Sequence, residues 1–316
     1  MRIGVIGNGK MVIDCIKHIL NHASIKICFA IYDASIDNPN NPITSFFESN
    51  NLDHFDIPNL NSEDTIKLVT KYSPDFIFNI NSYKIIKTEL LYIPQYGIIN
   101  FHNSLLPNYR GVNIPSWVII NGETEHGVTW HFMDQGVDTG PILANRAFNL
   151  SSDITARELM TKCILTGIQL FKEIFEDIIN RKCTPNNQMG RCEHHYRYKD
   201  FPKNMGYIDF AWSYEEIDRF VRGLSYFPFE NNFSYAKLRN SSGEVILNRI
   251  SRIGNTSYNS EPGTIFKANK NEFQIACSDS IIELDDLLTS SLTPLTKLEA
   301  IDILKLKEGS LLKTII

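Results

Sequence analysis

No stretch of the 316-residue chain approaches the ~20 consecutive apolar residues that a membrane-spanning helix requires, so no span is expected. The opening MRIGVIGNGKMV lacks the apolar core and small-residue cleavage site of a secretory leader, and reads as a strand and a turn. The six cysteines, Cys15, Cys28, Cys163, Cys183, Cys192 and Cys277, form no CxxC pair and no disulfide-like framework. A reduced, cytoplasmic setting is the simplest expectation. Cys183, Cys192, His194 and His195 follow no common structural zinc spacing, and no metal is expected. A basic surplus is missing as well. The formal net charge is −5, whereas a nucleic-acid partner usually calls for a basic face. From Ala34 to Leu60 there is no Lys or Arg at all. Internal repeats and low-complexity tracts are also lacking.

What is present is ordinary globular material, 43% hydrophobic and 21% charged, long enough for two domains with separate cores. RIGVI (2–6) reads as a buried strand, followed by a tight turn and a helix through Val12, Cys15, Ile16, Ile19 and Leu20. KICFAIYD, DFIFNI (strand three) and INFH near 98–102 supply further strands, with a turn-rich loop at Asn38–Pro42 and a helix near 62–72. Strands alternating with helices predict a parallel sheet of Rossmann type. HGVTWHFM (126–133) alternates like one more strand. The strongest helix, 153–181, carries Met160, Ile164, Ile168, Phe171, Phe175 and Ile178 on one face, with Ser152 or Asp153 as its cap. TPNNQMG (184–190) breaks that pattern. Beyond it, SYEEIDRFVRGL reads as a short helix, and FSYAKL, EVILNRI, GTIFKA, EFQIAC and SIIELDDL as the short strands of a small β-barrel. The expected division is 1–188, a linker at 189–204, and 205–316.

GNGKMV (7–12) partly fits a dinucleotide fingerprint, with Val12 where the third glycine belongs and Asp33 in place as the ribose acid. A plain βα turn explains it equally well. The segment from Asn100 to Pro141 is richer. Asn100 and His102 lie two apart at a strand end, so both point to one face, at the edge where open parallel sheets bind ligands. Asp138 follows the next strand in a glycine-flanked loop. These three residue types suit acyl transfer to an amine. An amide donor can stabilise a tetrahedral oxyanion, an effect worth roughly 3–4 kcal/mol for one such donor. A histidine can take the amine proton, and an aspartate can orient the imidazole and favour its charged form. A structural histidine at a strand end would leave the same trace.

NFHNSLLPNYRG together with GVTWHFMDQGVDTGPIL resembles the signature of the folate-dependent formyltransferase superfamily: Asn-x-His, an SLLP run and a distal Asp. Methionyl-tRNA formyltransferase, sugar-nucleotide formyltransferases and the formylation domains of peptide synthetases are members. YIDFAWSYEEIDRFVRGLSYFPF and EPGTIFKANKNEFQIACSDSIIELDDL are similar to the C-terminal subdomain of the longer members, so the likeness spans nearly the whole chain. The resemblance implies a Rossmann-like N-terminal domain followed by a small OB-like β-barrel, with the N-terminal glycines a relic that binds no dinucleotide. It implies 10-formyltetrahydrofolate as co-substrate, and Asn100, His102 and Asp138 as catalytic residues. The pterin pocket carries over onto Lys84, Ile85 and Ile86 (largely backbone), Val112, and the loop of Asp134, Gln135, Gly136, Val137 and Asp138. A homodimer is compatible with it. Arg219 and Arg222, with Tyr226, Phe227 and Phe229, fit either a substrate cleft, to which the resemblance leans for Arg222, or packing. Arg110 fits a residue that ties its loop down.

The expected acceptor is the amine of a small molecule, an amino sugar of a sugar nucleotide in first place. INGETEHGVT resembles the sugar-nucleotide enzymes, while GVTWH with VNIPSW resembles domains that formylate a carrier-bound aminoacyl group. Methionyl-tRNA is disfavoured by the Ala34–Leu60 segment, because phosphate contacts dominate RNA affinity. A non-catalytic Rossmann binding module is the alternative of another class.

Overall fold

The computed structural model describes residues 1–33, 42–82, 84–190, 192–254 and 260–313. In chain order its first elements are β1 (Arg2–Gly7), α1 (Lys10–Leu20), β2 (Lys26–Tyr32), α2 (Pro42–Ser49) and β3 (His54–Asp56). Then follow α3 (Glu63–Tyr72), β4 (Phe76–Ile80), α4 (Thr88–Leu91), β5 (Gly97–His102) and β6 (Arg110–Gly111). Next are α5 (Ile114–Ile120), β7 (Glu125–Phe132), β8 (Ile142–Asn149), α6 (Ala156–Ile179) and β9 (His195–Tyr196). The remainder comprises α7 (Tyr214–Leu224), β10 (Ala236–Arg239), β11 (Glu244–Gly254), β12 (Ile265–Ala268), β13 (Phe273–Ala276), β14 (Ile281–Leu288), β15 (Pro294–Leu295) and α8 (Lys297–Leu304).

Two compact units emerge, each built from several chain segments. One comprises Met1–Gly111, His126–Phe148 and Thr161–His195, and the other Val112–Glu125, Asn149–Met160 and Tyr196–Ile316. The first unit holds a seven-stranded sheet of order β3-β2-β1-β4-β5-β7-β8. Its strands from β3 to β5 pair in parallel, and β7 pairs antiparallel to β5. The α/β fold with a parallel sheet is therefore as expected. The central strands are near-continuous apolar runs because they are covered on both faces. All five residues of β4 are buried, and so are the five from Ile98 to His102 of β5. In β7 the alternation visible in the sequence does not mark a half-exposed strand: His126 to His131 are all buried.

The six-stranded antiparallel sheet of the second unit runs β10-β11-β14-β13-β12, with β15 beside β14. It matches the run of short strands read from the sequence. The helix SYEEIDRFVRGL forms as α7, opened by a capping box in which Ser213 and Glu216 satisfy each other's backbone N–H groups. The long helix starts later than its periodicity suggests. Its opening hydrogen bonds come from Thr155 and Glu158, not from Ser152 or Asp153: Thr155 N–H donates to Glu158 at 2.9 Å, and Glu158 N–H to the Thr155 hydroxyl at 3.3 Å. A Thr-x-x-Glu pair satisfies two orphan donors, which a lone Asp cannot do. The expected Asn38–Pro42 loop falls, except for Pro42, outside the described residues. The remainder of Ala34–Leu60 contributes α2 and the edge strand β3, neither of which its sequence announced.

Candidate active site

Three neighbouring strands of the first unit place a polar row inside an otherwise apolar sheet. Asn79 on β4 pairs in register with Asn100 on β5, and Asn100 with His131 on β7. All three are buried. Asn79 Nδ2 donates to Asn100 Oδ1 at 2.7 Å, and Asn100 Nδ2 lies 3.1 Å from His131 Nε2. His102, two residues beyond Asn100, leaves the same face, as alternation requires.

The SLLP segment then folds back over His102. Ser104 Oγ donates to the Asn108 carbonyl at 2.9 Å, and Thr129 Oγ1 to the Ser104 carbonyl at 2.7 Å. Tyr109 sits in the left-handed region at φ 56°. Its carbonyl oxygen accepts from His102 Nε2 at 2.8 Å. A carbonyl only accepts, so Nε2 carries the hydrogen and, in the neutral ring, Nδ1 is the free base. That nitrogen faces Asp138 Oδ2 at 3.6 Å. The separation exceeds a hydrogen bond. The Tyr109 carbonyl thus orients the imidazole, while Asp138 acts on it through charge, a division of labour that the sequence left joined.

Asp138 is carried by the loop after β7 in the left-handed region, φ 53°, which Asp tolerates better than most residues. Its Oδ2 accepts from the Gly111 N–H at 2.9 Å, and its Oδ1 lies 3.6 Å from His131 Nε2. The loop is braced from behind. Gln188 donates to the Asp138 and Gly140 carbonyls, each at 2.8 Å, and accepts from Arg110 at 2.6 Å. Arg110, expected to hold its own SLLPNY loop, instead reaches the Asp138 loop through Gln188.

Burial dominates the electrostatics of His102 and lowers its pKa, while the Asp138 carboxylate and the Tyr109 carbonyl pull it upward. Burial also works to raise Asp138, but the His102 and His131 imidazoles and the Gly111 N–H outweigh it, holding the carboxyl well below the usual carboxylate range. His126, bonded to the Asn103 carbonyl at 2.8 Å, shows the contrast. With burial opposed only by that carbonyl, its pKa falls to about 4.

The other expected positions scatter. Asp134 Oδ1 accepts from the Gly136 N–H at 3.0 Å and from the Thr139 hydroxyl, shaping the loop. Val137 is exposed, and Gln135 Nε2 donates to the Tyr92 hydroxyl at 3.4 Å. Ile86 is buried in the core, whereas Ile85 is exposed and its carbonyl accepts from Asn61 Nδ2 at 2.8 Å. The Lys84 ammonium points elsewhere, pairing with Asp33 and the Pro58 carbonyl. Val112 belongs to the second unit, where its N–H donates to the Tyr196 carbonyl at 3.0 Å. There too Arg222 is held by Asp218 at 2.7 Å and the Ile154 carbonyl at 2.9 Å, and Arg157 covers the Phe229 ring at 4.9 Å. Among the described residues no group of three or more His, Cys, Asp or Glu is placed to hold a metal ion. Sequence reading missed Asn79, His131 and Gln188. An amide interrupting the apolar run FIFNI was the one available signal for Asn79.

An amide, an imidazole and a carboxylate thus lie together at the end of β5 and in the loop after β7. Residues 30–173 match the family Formyl transferase, and residues 201–297 match Formyl transferase, C-terminal domain. The chain belongs to the formyl transferase family, whose members transfer formyl groups. It is 32% identical over 233 residues to methionyl-tRNA formyltransferase of Clostridium beijerinckii, covering 74% of this chain and 72% of that one. It is 30% identical over 255 residues to the Clostridium novyi enzyme of that name, 80% of each chain. Among solved structures it resembles WlaRD, a sugar 3N-formyl transferase crystallised with dTDP and 5-N-formyl-THF. There the TM-score is 0.64 at 24% identity, over 90% of this chain and 96% of that one. An N-formyltransferase from Helicobacter canadensis, in complex with folinic acid and dTDP-3-aminofucose, superposes with TM-score 0.63 at 22% identity, over 90% and 98%. No helix among the described residues is long and apolar enough to cross a membrane.

Proposed function

We propose that this protein transfers the formyl group of 10-formyltetrahydrofolate to the amine of a nucleotide-linked amino sugar. The observation that carries the chemistry is the proximity of buried Asn100 and His102 to Asp138, whose carboxylate lies 3.6 Å from His102 Nδ1 and 3.6 Å from His131, the ring that Asn100 contacts. The amine lone pair attacks the formyl carbon and the carbonyl π pair moves to oxygen, where an Asn100 N–H receives the oxyanion. His102 Nδ1 takes the proton from the attacking nitrogen, and the Asp138 carboxylate stabilises the imidazolium so formed. As the oxygen pair returns, the bond to the folate nitrogen breaks, and that nitrogen takes up from His102 the proton that came from the amine. The base is regenerated with each turnover. The backbone of Lys84 to Ile86 and the loop Asp134–Val137 hold the donor, and the exposed Ile85 and Val137 side chains offer apolar contact to its ring system.

For the acceptor, the absence of Lys and Arg between Ala34 and Leu60 supports a small amine. The 32% identity to a methionyl-tRNA enzyme favours the second reading, formylation of methionyl-tRNA. A panel of nucleotide-linked amino sugars and methionyl-tRNA, assayed with 10-formyltetrahydrofolate at low and moderate salt, separates them. A small amine binds with weak salt dependence, whereas a tRNA grip loses affinity with a log–log slope near −0.9 per duplex phosphate neutralised. Efficient, salt-sensitive tRNA formylation would overturn the acceptor and leave the catalytic assignment standing.

A further inference from the structure

The row Asn79–Asn100–His131 has a direction. His131 Nδ1 lies 2.7 Å from the Phe132 carbonyl oxygen, which can only accept, so Nδ1 carries the hydrogen. In the neutral ring Nε2 is then a lone pair, and it accepts from Asn100 Nδ2 at 3.1 Å. On its other side Asn100 Oδ1 accepts from Asn79 Nδ2 at 2.7 Å. Reversing the Asn100 amide would set its N–H groups against the Asn79 amino group and its oxygen against a nitrogen lone pair. With Asn79 as placed and His131 neutral, both neighbours favour this sense. One Asn100 N–H is spent on His131, and the second is available to a ligand.

Asn79 has a cost that this contact explains. It lies on a strand that is buried throughout, 3% exposed, and its Oδ1 is buried with no hydrogen-bond partner. A leucine of similar size would fill the space without desolvating an amide. We propose that Asn79 is a positioning residue, whose amino group holds the Asn100 carbonyl so that Asn100 presents N–H, not oxygen, to the oxyanion. The proposal rests on the reading of Asn100 as oxyanion donor. It adds what an isolated asparagine lacks, since a free amide offers either end.

The test is a cycle of Asn79→Leu, Asn100→Ala and the double variant. Each is assayed with 10-formyltetrahydrofolate and the best acceptor of the panel above, with thermal unfolding followed in parallel. Asn79→Leu is expected to lower kcat about 10-fold, to leave KM for the donor within about 2-fold, and to have no further effect in the Asn100→Ala background. A merely structural role would move Tm without that kcat–KM split. Asn79→Asp, which presents only acceptors to Asn100, is expected to be slower than Asn79→Leu. Wild-type kcat in Asn79→Leu, or an equal loss in the presence and absence of Asn100, overturns the positioning role while the functional reading stands. Wild-type turnover in Asn100→Ala defeats that reading itself. If Asn79→Leu does not fold, Asn79→Ser, which is smaller and still polar, carries the same cycle. Asparagine-selective 15N labelling gives a readout free of substrate. The Asn100 amide protons are expected to shift in Asn79→Leu, and unchanged resonances would count against the contact.

Discussion

Two places at the carboxyl ends of strands in the same sheet look in the sequence like ligand sites, and they have opposite chemistry. At the β1–α1 turn the polar groups are consumed internally. Asn8 Nδ2 donates to the Asp33 carbonyl at 2.8 Å, and the Asp33 carboxylate pairs with Lys84, whose ammonium also reaches the Pro58 carbonyl. Val12 is fully buried where a dinucleotide fingerprint has its third glycine. At the ends of β4, β5 and β7, by contrast, Asn100 keeps a spare N–H, His102 keeps Nδ1, and Asn79 keeps an unpaired oxygen. If the proposed site is correct, what sets it apart is unspent hydrogen-bonding capacity at buried positions, not polar residues at a strand end.

The strongest way to break this comparison is to remove the unspent groups. His102→Ala, Asn100→Ala and Asp138→Ala are each expected to lower kcat by roughly 100-fold or more, because in the proposed mechanism each removes a group serving the same intermediate. Far-UV circular dichroism should remain unchanged. Near-normal turnover of purified His102→Ala would end the assignment.

Removing a spent group should instead be felt in stability. Lys84→Ala removes the ammonium that pairs with the Asp33 carboxylate, 5% exposed in its side chain. Breaking a buried pair by removing one partner costs up to about 3 kcal/mol. Urea titration is the measurement, and Asp33→Asn in the Lys84→Ala background should recover most of the loss. If Lys84→Ala is as stable as the parent, the turn is not held shut by this pair.

How far the sequence could see follows the same division. Apolar runs made β1, β2, β4 and β5 legible, and Asn-x-His at a strand end located Asn100 and His102. Local spacing could not reveal the cross-strand register. Asn79, Asn100 and His131 are 21 and 31 residues apart and meet only because β4, β5 and β7 are neighbours. Gln188 was hidden for a related reason: its segment has no periodicity, yet its side chain bonds two carbonyls of the Asp138 loop. The tautomer of His102 was also out of reach, since it is set by the Tyr109 backbone and not by a side chain.

That tautomer makes a pH prediction of intermediate size. His102 accepts a proton only when neutral, and burial lowers its pKa from the usual histidine value of 6.5. Activity is therefore present above the lowered pKa and lost as pH falls through it. The acid limb of kcat/KM should lie below pH 6.5. Asp138→Asn removes the charge that pulls His102 upward, so the limb should move lower still while kcat falls. A limb above 6.5 would mean that the Asp138 carboxylate outweighs burial.

The smallest effect is the most discriminating between the two crevices. 5-Formyltetrahydrofolate should raise Tm by mass action, by about 2.7 kcal/mol of stabilisation at one hundred times its Kd. NAD(H) should shift Tm by nothing. Asp33 would have to release Lys84 before receiving a ribose, and the Asn8 side chain would have to leave the Asp33 backbone that it braces. The turn is also too tight to open by small adjustments. A Cβ on Gly7 would meet the Ile80 carbonyl oxygen at 1.8 Å, so β1 and β4 pack without slack at the first glycine. Differential scanning fluorimetry with each ligand, repeated on Lys84→Ala, gives two independent readings. The parent should ignore NADH, and Lys84→Ala should ignore it too, because Asn8 and Val12 still close the turn. A stabilising shift in the parent would show that the internal pairing yields to a ligand, and a shift in Lys84→Ala alone would show that one lysine keeps a functional dinucleotide site shut.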